Sequence, residues 1–568
     1  MDESPGFPGD SPGGSLRGSP GDSAGGSPSD SAGDSVGRRV MAALADAGAT
    51  TVFGMPGGGA NLEVVGAAAE AGLRFVLAHG ETAAAIMAAA HGLLAGAAAP
   101  VVVTRGPGVA SVANGVAQAT LDRYPLVVVA DTVPGRSAAR VAHQRLDQRG
   151  LLGSVAKGSA TVTDHTDEAT LAALVASART WPFGAVHLDL DPSAPSPTAP
   201  TGLAGPEPAV TVPGDDVARA RELVTAARRP VVVVGMEAAA SGAGALAPLL
   251  TDFGAPVLCT YQAIGVVDTE GPVSAGLFTN GALERPVLDA ADLLITVGLD
   301  ALEPIPNRWE RTMPVVRLSA VPDPDRYLPP TVEVVGDLVA VTAEVLSRRP
   351  VAPHTWPGDA AAGFRHRARA DLVAGAAVEP AAGLGPLELV TTLAPLVPPE
   401  ATVTVDAGAH FLAIMPLWPV TRPLGLLISN GLATMGFALP AAIGAALARP
   451  AHPVVALTGD GGLSMALAEL ETVARLGLPV TVVVFNDSAL SLIEIKQGPG
   501  DGGTEAVRYR PVDFGAVAEA SGLEGMVVRS ADELAAVLGD GGRWHRPRLV
   551  DARIEPAPYR RLIAATRG

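Results

Sequence analysis

At 568 residues, with 48% hydrophobic and 17% charged side chains, the chain is too long for one core and apolar enough to fill several. A formal net charge of −18 argues against a nucleic-acid partner, whose phosphates need facing Lys and Arg; one cysteine, Cys259, excludes an internal disulfide framework or a Cys-rich zinc site. The apolar runs, such as 101–103 and 480–485, are too short to cross a bilayer, and no basic start or long apolar run marks a secretory signal, so no membrane partner and a reducing cytoplasmic location are expected.

Residues 1–37 repeat Ser, Pro, Gly and Asp and have almost nothing to bury, which predicts a disordered tail. From residue 38 to about 195, short apolar strands alternate with helices. A helix over 39–47 precedes a strand at 51–53, the turn MPGGGAN and a helix near 62–71. A strand at 75–77, an Ala-rich helix from Glu81, a strand at 100–104, GPGVAS, a helix to residue 121 and a strand at 126–130 follow. A Pro/Ala-rich linker spans 191–213. The second block, 205–350, places strands at 230–235, 256–260, 293–298 and 315–318. After another Pro- and Ala-containing stretch over 350–386, a third block, 381–560, places strands near 403–406, 454–458, 480–485 and 549–551. Strands alternating with helices imply crossover connections, so the fold expected is α/β, with three doubly wound domains of mainly parallel sheet.

The segment VVALTGDGGLSMALAELETVARLGLPVTVVVFNDSALSL, residues 454–492, carries the most chemistry. An apolar strand ends in Gly459-Asp460-Gly461-Gly462, a helix is predicted over 463–476, and a second strand ends at Asn486-Asp487. Alone, Gly-Asp-Gly is a tight turn and Asn-Asp a strand end. Together they deliver both carboxylates to one edge of a parallel sheet, where ligands collect outside the strands' carboxyl ends. The glycines admit an anion close to the backbone, a helix start offers free N–H groups to phosphate, and Asp460 and Asp487 supply the hard oxygens Mg²⁺ prefers.

This segment resembles the diphosphate-binding motif of thiamine-diphosphate enzymes of the acetolactate-synthase-like superfamily, in which Gly-Asp-Gly is followed by two Asn residues. Positions 460 and 487 stand 27 apart, as the family spacing requires. The resemblance implies Mg²⁺ held by Asp460, by Asp487 (where the family usually has Asn) and by the backbone carbonyl of Ala489. Upstream, SNGLATMGFALPAAIGAALARP (429–450) is similar to the family's Met-Gly-x-x-x-Pro run. Met435 then corresponds to the Met under the cofactor that folds the pyrimidine over the thiazolium ring, although a lone Met is more often a core filler.

The first block resembles the family's pyrimidine-binding domain in VFGMPGGGANLE (52–63), VLAHGETAAAIMAAAHGLLAG (76–96) and TRGPGVASVANGVAQATLDRYPLVVVADT (104–132). Glu81 matches the carboxyl group that contacts N1′ of the aminopyrimidine. Its bland alternative is a carboxylate at a helix start. The family has His directly before this Glu; here Gly80 intervenes and His79 lies one step earlier, which puts His79 outside the active site. Gly106, Pro107 and Gly108 correspond to a loop whose backbone approaches the cofactor. HQRLDQRG (143–150) is similar to a substrate-side loop, with Gln144 over the thiazolium and His143 as a proton shuttle. Lys157 and His410 are further, weaker candidates.

The middle block is similar to the family's central domain over 226–250 and 291–301. In acetolactate synthases that domain binds FAD, but AGLFTNGALERP (275–286) and GLDALEPIP (298–306) depart from the expected loops, which counts against FAD here. The resemblance implies Mg²⁺-dependent decarboxylation of a pyruvate-like 2-oxo acid on thiamine diphosphate, with ligation of the acyl anion to a carbonyl acceptor. Because the family builds each site from two subunits, it implies a homodimer at least, possibly a homotetramer. The alternatives are a decarboxylase without ligation, or a silent cofactor-binding scaffold.

Overall fold

The computed structural model of the protein describes residues 35–58, 60–134, 140–194, 214–322, 328–347, 355–376, 383–497, 503–539 and 543–567. The tail expected over 1–37 and the linker expected over 191–213 lie almost wholly outside them. The first helix, Val36–Asp46, starts earlier than the sequence pattern suggests, because the Ser35 side chain accepts the Arg38 N–H as its N-cap.

Three six-stranded parallel sheets follow one another along the chain. The first holds β1 (Thr51–Met55), β2 (Arg74–Leu77), β3 (Ala99–Val103), β4 (Leu126–Asp131), β5 (Gly158–Val162) and β6 (Ala185–Leu190), in the order β2-β1-β3-β4-β6-β5. The second holds β7 (Pro230–Val234), β8 (Val257–Cys259), β9 (Ser274–Leu277), β10 (Leu293–Val297), β11 (Val315–Ser319) and β12 (Val332–Val335), ordered β12-β11-β10-β7-β8-β9. The third holds β13 (Thr402–Val405), β14 (Leu426–Ile428), β15 (Val454–Gly459), β16 (Val480–Asn486), β17 (Glu524–Val528) and β18 (Arg548–Arg553), ordered β14-β13-β15-β16-β18-β17. The outer two sheets thus share one topology, whereas the central one has the 3-2-1-4-5-6 order of dinucleotide-binding folds when read from β9. β3, β7 and β10 are buried on both faces, which is why they read as mainly apolar, Val- and Leu-rich runs without regular polar alternation.

The first and third domains meet through two Ala-rich helices, Glu81–Ala95 and Ala438–Ala448. Small residues let the helix backbones approach; a Cβ on Gly444 would stand 2.2 Å from the Met87 carbonyl oxygen. All three domains converge on Asp122. Its carboxyl group accepts the Gly431 N–H at 2.5 Å and Gln118 Nε2 at 3.0 Å, and its carbonyl accepts Gln262 Nε2 at 3.2 Å. Burial pushes the Asp122 carboxyl up to about 6 against the lowering effect of these hydrogen bonds.

Two expectations need correction. The stretch over 350–386 contains a 17-residue helix, Ala360–Ala376, packed on β9 and the last helix, Pro558–Arg567. Its Arg365 is buried and donates to the carbonyls of Gly271 and Ser274 at 3.1 and 2.5 Å, clamping the helix to the β9 edge of the central domain. The helix predicted over 463–476 is two, Asp460–Met465 and Glu469–Leu476; the first begins at Asp460 itself, with Gly459 as its N-cap.

Candidate active site

The carboxyl ends of β13, β14, β15 and β16 open into a cavity of about 470 Å³. Met435, Gly459, Asp460, Gly461, Gly462, Asp487 and Ala489 all line it, so the residues singled out in the third block come together in space. The glycines are required by close approach. A Cβ on Gly462 would stand 2.6 Å from the Asp406 carboxylate, and one on Gly461 would stand 2.8 Å from Leu490 and 3.4 Å from the Met435 methyl.

Asp460 is buried, accepts the N–H groups of Gly461 at 2.8 Å and Ser488 at 2.6 Å, and takes a hydrogen bond from the Tyr509 hydroxyl. Burial nevertheless raises its carboxyl above the usual range. Asp487, hydrogen-bonded by Ser491, is pushed up to about 7, first by burial and then by the neighbouring Asp460. Two frustrated carboxyl groups at one strand edge suit a divalent cation, which would remove the cost of holding both charges. Among the described residues no group of three His, Cys, Asp or Glu could hold a metal. Mg²⁺ would therefore need the Ala489 carbonyl, waters and an anionic ligand such as a diphosphate to complete its shell.

His410 also lines this cavity and was a minor candidate in the sequence. Its ring stacks on Phe485, with centroids 5.4 Å apart, and lies 3.3 Å from where a Gly459 Cβ would be. Burial pushes its pKa down to about 4, its ring N–H donates to the Asp406 backbone carbonyl, and its Nε2 is buried without a hydrogen-bond partner among the described residues. With Nδ1 donating to that carbonyl and the ring neutral, Nε2 is left as an acceptor, which suits a ligand N–H or O–H and not a phosphate oxygen.

The candidates of the first block do not line this cavity in the same chain. Glu81 opens the helix Glu81–Ala95 and is half-buried, with Oε1 3.4 Å from where a Gly108 Cβ would be. His79 is directed to the third domain, its Nε2 lying 2.7 Å from Glu471. Gly106 adopts φ 71, ψ −102, a conformation suited to glycine, and Pro107 starts the helix Pro107–Leu121. His143 and Gln144 are exposed, and Gln144 has φ 56. Lys157 donates to the carbonyls of Ser177 and Thr180, as a brace on a helix end, and burial lowers its pKa to about 8. A second hollow, of about 740 Å³, lies between the first and third domains and is lined by His79, Gly80, Thr82, Ser464, Met465 and the same Met435.

Sequence reasoning missed several contributors. Gln148, four residues after Gln144, is the buried glutamine of that loop. Tyr509 and Tyr559 reach the site from irregular or terminal segments that carry no motif, and residues 302–306 of the central domain form part of the cavity wall. Only the departure of 298–306 from the family pattern hinted at the last.

Comparison with known proteins identifies the three domains. Residues 34–151 match the family described as thiamine pyrophosphate enzyme, N-terminal TPP binding domain; residues 217–345 match its central domain and 406–552 its C-terminal TPP binding domain. The chain is 32% identical over 554 residues to "Acetolactate synthase" of Bacillus subtilis (strain 168), covering 91% of this chain and 92% of the relative. It is 31% identical to "Acetolactate synthase, catabolic" of Raoultella terrigena, covering 88% and 91%. Identity to "Acetolactate synthase isozyme 2 large subunit" of Escherichia coli (strain K12) is 28%, covering 88% and 92%.

Proposed function

This chain belongs to the thiamine pyrophosphate enzyme family, and from that premise we propose that it is an acetolactate-synthase-like carboligase. The reaction proposed is Mg²⁺-dependent decarboxylation of a pyruvate-like 2-oxo acid, followed by transfer of the acyl anion to a carbonyl acceptor. The observation that carries it is the gathering of Met435, Gly459–Gly462, Asp487 and the unpaired His410 Nε2 around one cavity in a chain whose named relatives are acetolactate synthases.

When bound, thiamine diphosphate supplies the carbon nucleophile and the sink for electrons released with CO₂. The chain supplies position and charge. Asp460, Asp487 and the Ala489 carbonyl would hold Mg²⁺, and the backbone N–H groups of the Gly459–Gly462 turn would receive the diphosphate. Met435 projects between the two hollows, where it would set the cofactor's bend. Glu81 would offer its carboxyl group to the pyrimidine ring from a half-buried place beside the Gly106–Gly108 backbone. Gln144 and His143 act on the substrate side.

Because Glu81 and its loop lie off the cavity of their own chain, the reading includes a second copy whose first domain completes the site. Met465, 64% exposed on the interdomain hollow, fits a surface that such a copy covers. Among the described residues no helix is long and apolar enough to cross a membrane, and a cytoplasmic location is part of the proposal.

The test is mass spectrometry of products from a panel of 2-oxo acids, with Mg²⁺ and thiamine diphosphate, with and without a second keto acid or aldehyde. A ligated hydroxy-keto acid supports the proposal. Free aldehyde alone makes the chain a simple decarboxylase, and cofactor binding without turnover makes it a scaffold.

A further inference from the structure

The central sheet reverses its strand order between β7 and β10, and the crevice at their carboxyl ends is where a fold of this topology receives a dinucleotide's phosphates. Here that crevice is closed. The turn after β7 and the turn after β10 touch backbone to backbone, so that a Cβ on Gly235 would stand 2.3 Å from Leu299 Cα and 2.4 Å from the Gly298 carbonyl oxygen. The turn reads Gly235-Met236-Glu237-Ala238, without the repeated glycines that bring backbone to a pyrophosphate.

The remaining donors are already taken by Glu303, a fully buried carboxyl group from the loop after β10. Both its oxygens lie 3.0 Å from the Met236 N–H, Oε2 accepts the Asp300 N–H at 3.0 Å, and Oε1 accepts the Thr260 hydroxyl from the end of β8. One carboxyl group therefore joins the ends of three adjacent elements at the place a phosphate would occupy. The same residue's carbonyl accepts Asn430 Nδ2 at 3.3 Å, and Ile305 N–H donates to Thr279 at 2.8 Å, so the loop is pinned on both sides. Its residues Leu302, Pro304, Ile305 and Pro306 turn into the cavity that contains Asp460 and Met435.

We propose that Glu303 replaces a dinucleotide phosphate in the central domain, which consequently takes no FAD, and that the loop it pins, 302–306, is instead the apolar wall that sizes the 2-oxo acid. The FAD of the acetolactate synthases does not fit these residues. The first half of the proposal is independent of the proposed function; the second rests on it.

The test uses the full-length protein with Mg²⁺ and thiamine diphosphate. Denaturing the purified protein should release no flavin, and added FAD should keep its fluorescence at roughly 100 μM protein; a stoichiometric flavin release or a saturable quench overturns the first half. Leu302→Ala should shift kcat/KM toward a longer 2-oxo acid over pyruvate by roughly tenfold, the scale of one or two methylenes in an apolar pocket, with thiamine diphosphate affinity unchanged. Glu303→Ala should raise KM for the 2-oxo acid roughly tenfold, again at unchanged cofactor affinity, and Glu303→Gln should restore part of it. Unaltered substrate preference in Leu302→Ala overturns the second half, whether or not the Glu303 variants fold. No thiamine diphosphate binding by the wild type would instead remove the proposed function and leave the flavin result standing.

Discussion

Gln148 Oε1 accepts the backbone N–H of Gly106 at 3.0 Å, while its Nε2 donates to the Asp189 carboxylate at 2.7 Å and the Asp131 carbonyl at 3.1 Å. One buried amide thus ties the Gly106–Gly108 loop to the ends of β4 and β6. Asp189 continues the chain to His187 Nε2 at 3.0 Å, and His187 Nδ1 lies 3.0 Å from Ser159 Oγ.

Gln148→Ala would leave the Gly106 N–H and the Asp189 carboxylate short of a buried partner, which costs roughly 1–3 kcal/mol. The expected outcome is a lower melting temperature together with weaker thiamine diphosphate binding, because the loop at Gly106 loses its brace. Differential scanning calorimetry and cofactor titration check it. If melting and cofactor affinity both match the wild type, Gln148 does not hold the loop.

Glu81→Gln keeps the size of the side chain at the start of its helix but removes the ionisable carboxyl group. Cofactor affinity should stay within about threefold, while kcat should fall by roughly 10²-fold or more, as for loss of a positioned acid–base group. Steady-state kinetics beside calorimetric titration separates the two. A kcat within tenfold of wild type removes Glu81 from the proposed role.

The metal assignment makes opposite demands on the two carboxylates. Asp460→Ala should weaken Mg²⁺-dependent cofactor binding at least ~10-fold, about 1.4 kcal/mol or more. Asp487→Asn keeps an oxygen ligand while removing the charge that faces Asp460, so binding should remain and the apoprotein should melt no lower than wild type. Calorimetry over a Mg²⁺ series checks both. Equal losses in the two variants would mean that charge, and not oxygen placement, holds the ion.

The alternation of buried strands and helices was legible because β3, β7, β10, β15 and β16 are predominantly apolar, and Asp460 and Asp487 were legible because parallel strands must end on one edge. β5 carries Ser159 and β6 carries His187 and Asp189, and Ser159 Oγ meets His187 Nδ1 only after the strands pair, so neither segment announces itself as a buried strand. In the 143–150 loop, His143 and Gln144 drew attention by resemblance, yet the buried partner is Gln148, whose role depends on contacts 41 and 42 residues away in sequence. Glu303 was equally hidden: nothing local shows that its carboxyl group will meet Met236 and Thr260.

His91 offers a prediction that needs no cofactor. It lies in the helix Glu81–Ala95, buried at the junction with Ala438–Ala448, edge-on to Phe53 at 5.5 Å, and its Nδ1 has no hydrogen-bond partner. Burial alone pushes its pKa down to about 4. The unfolded chain therefore takes up a proton near 6.5 that the folded chain refuses until about pH 4, and stability is lost as pH falls through that window, by roughly 3 kcal/mol in all. Asp122 and Asp406, both raised to about 6 by burial, act with the opposite sign: their contribution is greatest at low pH and is lost as pH rises toward 6. The total pH profile consequently conceals each of them. Only the difference between wild type and His91→Leu isolates the imidazole, since the two carboxyl contributions cancel in it. Urea unfolding at pH 6.5, 5.5 and 4.5 should show the variant gaining on the wild type at each step down, and a flat difference would mean that the ring is protonated in place.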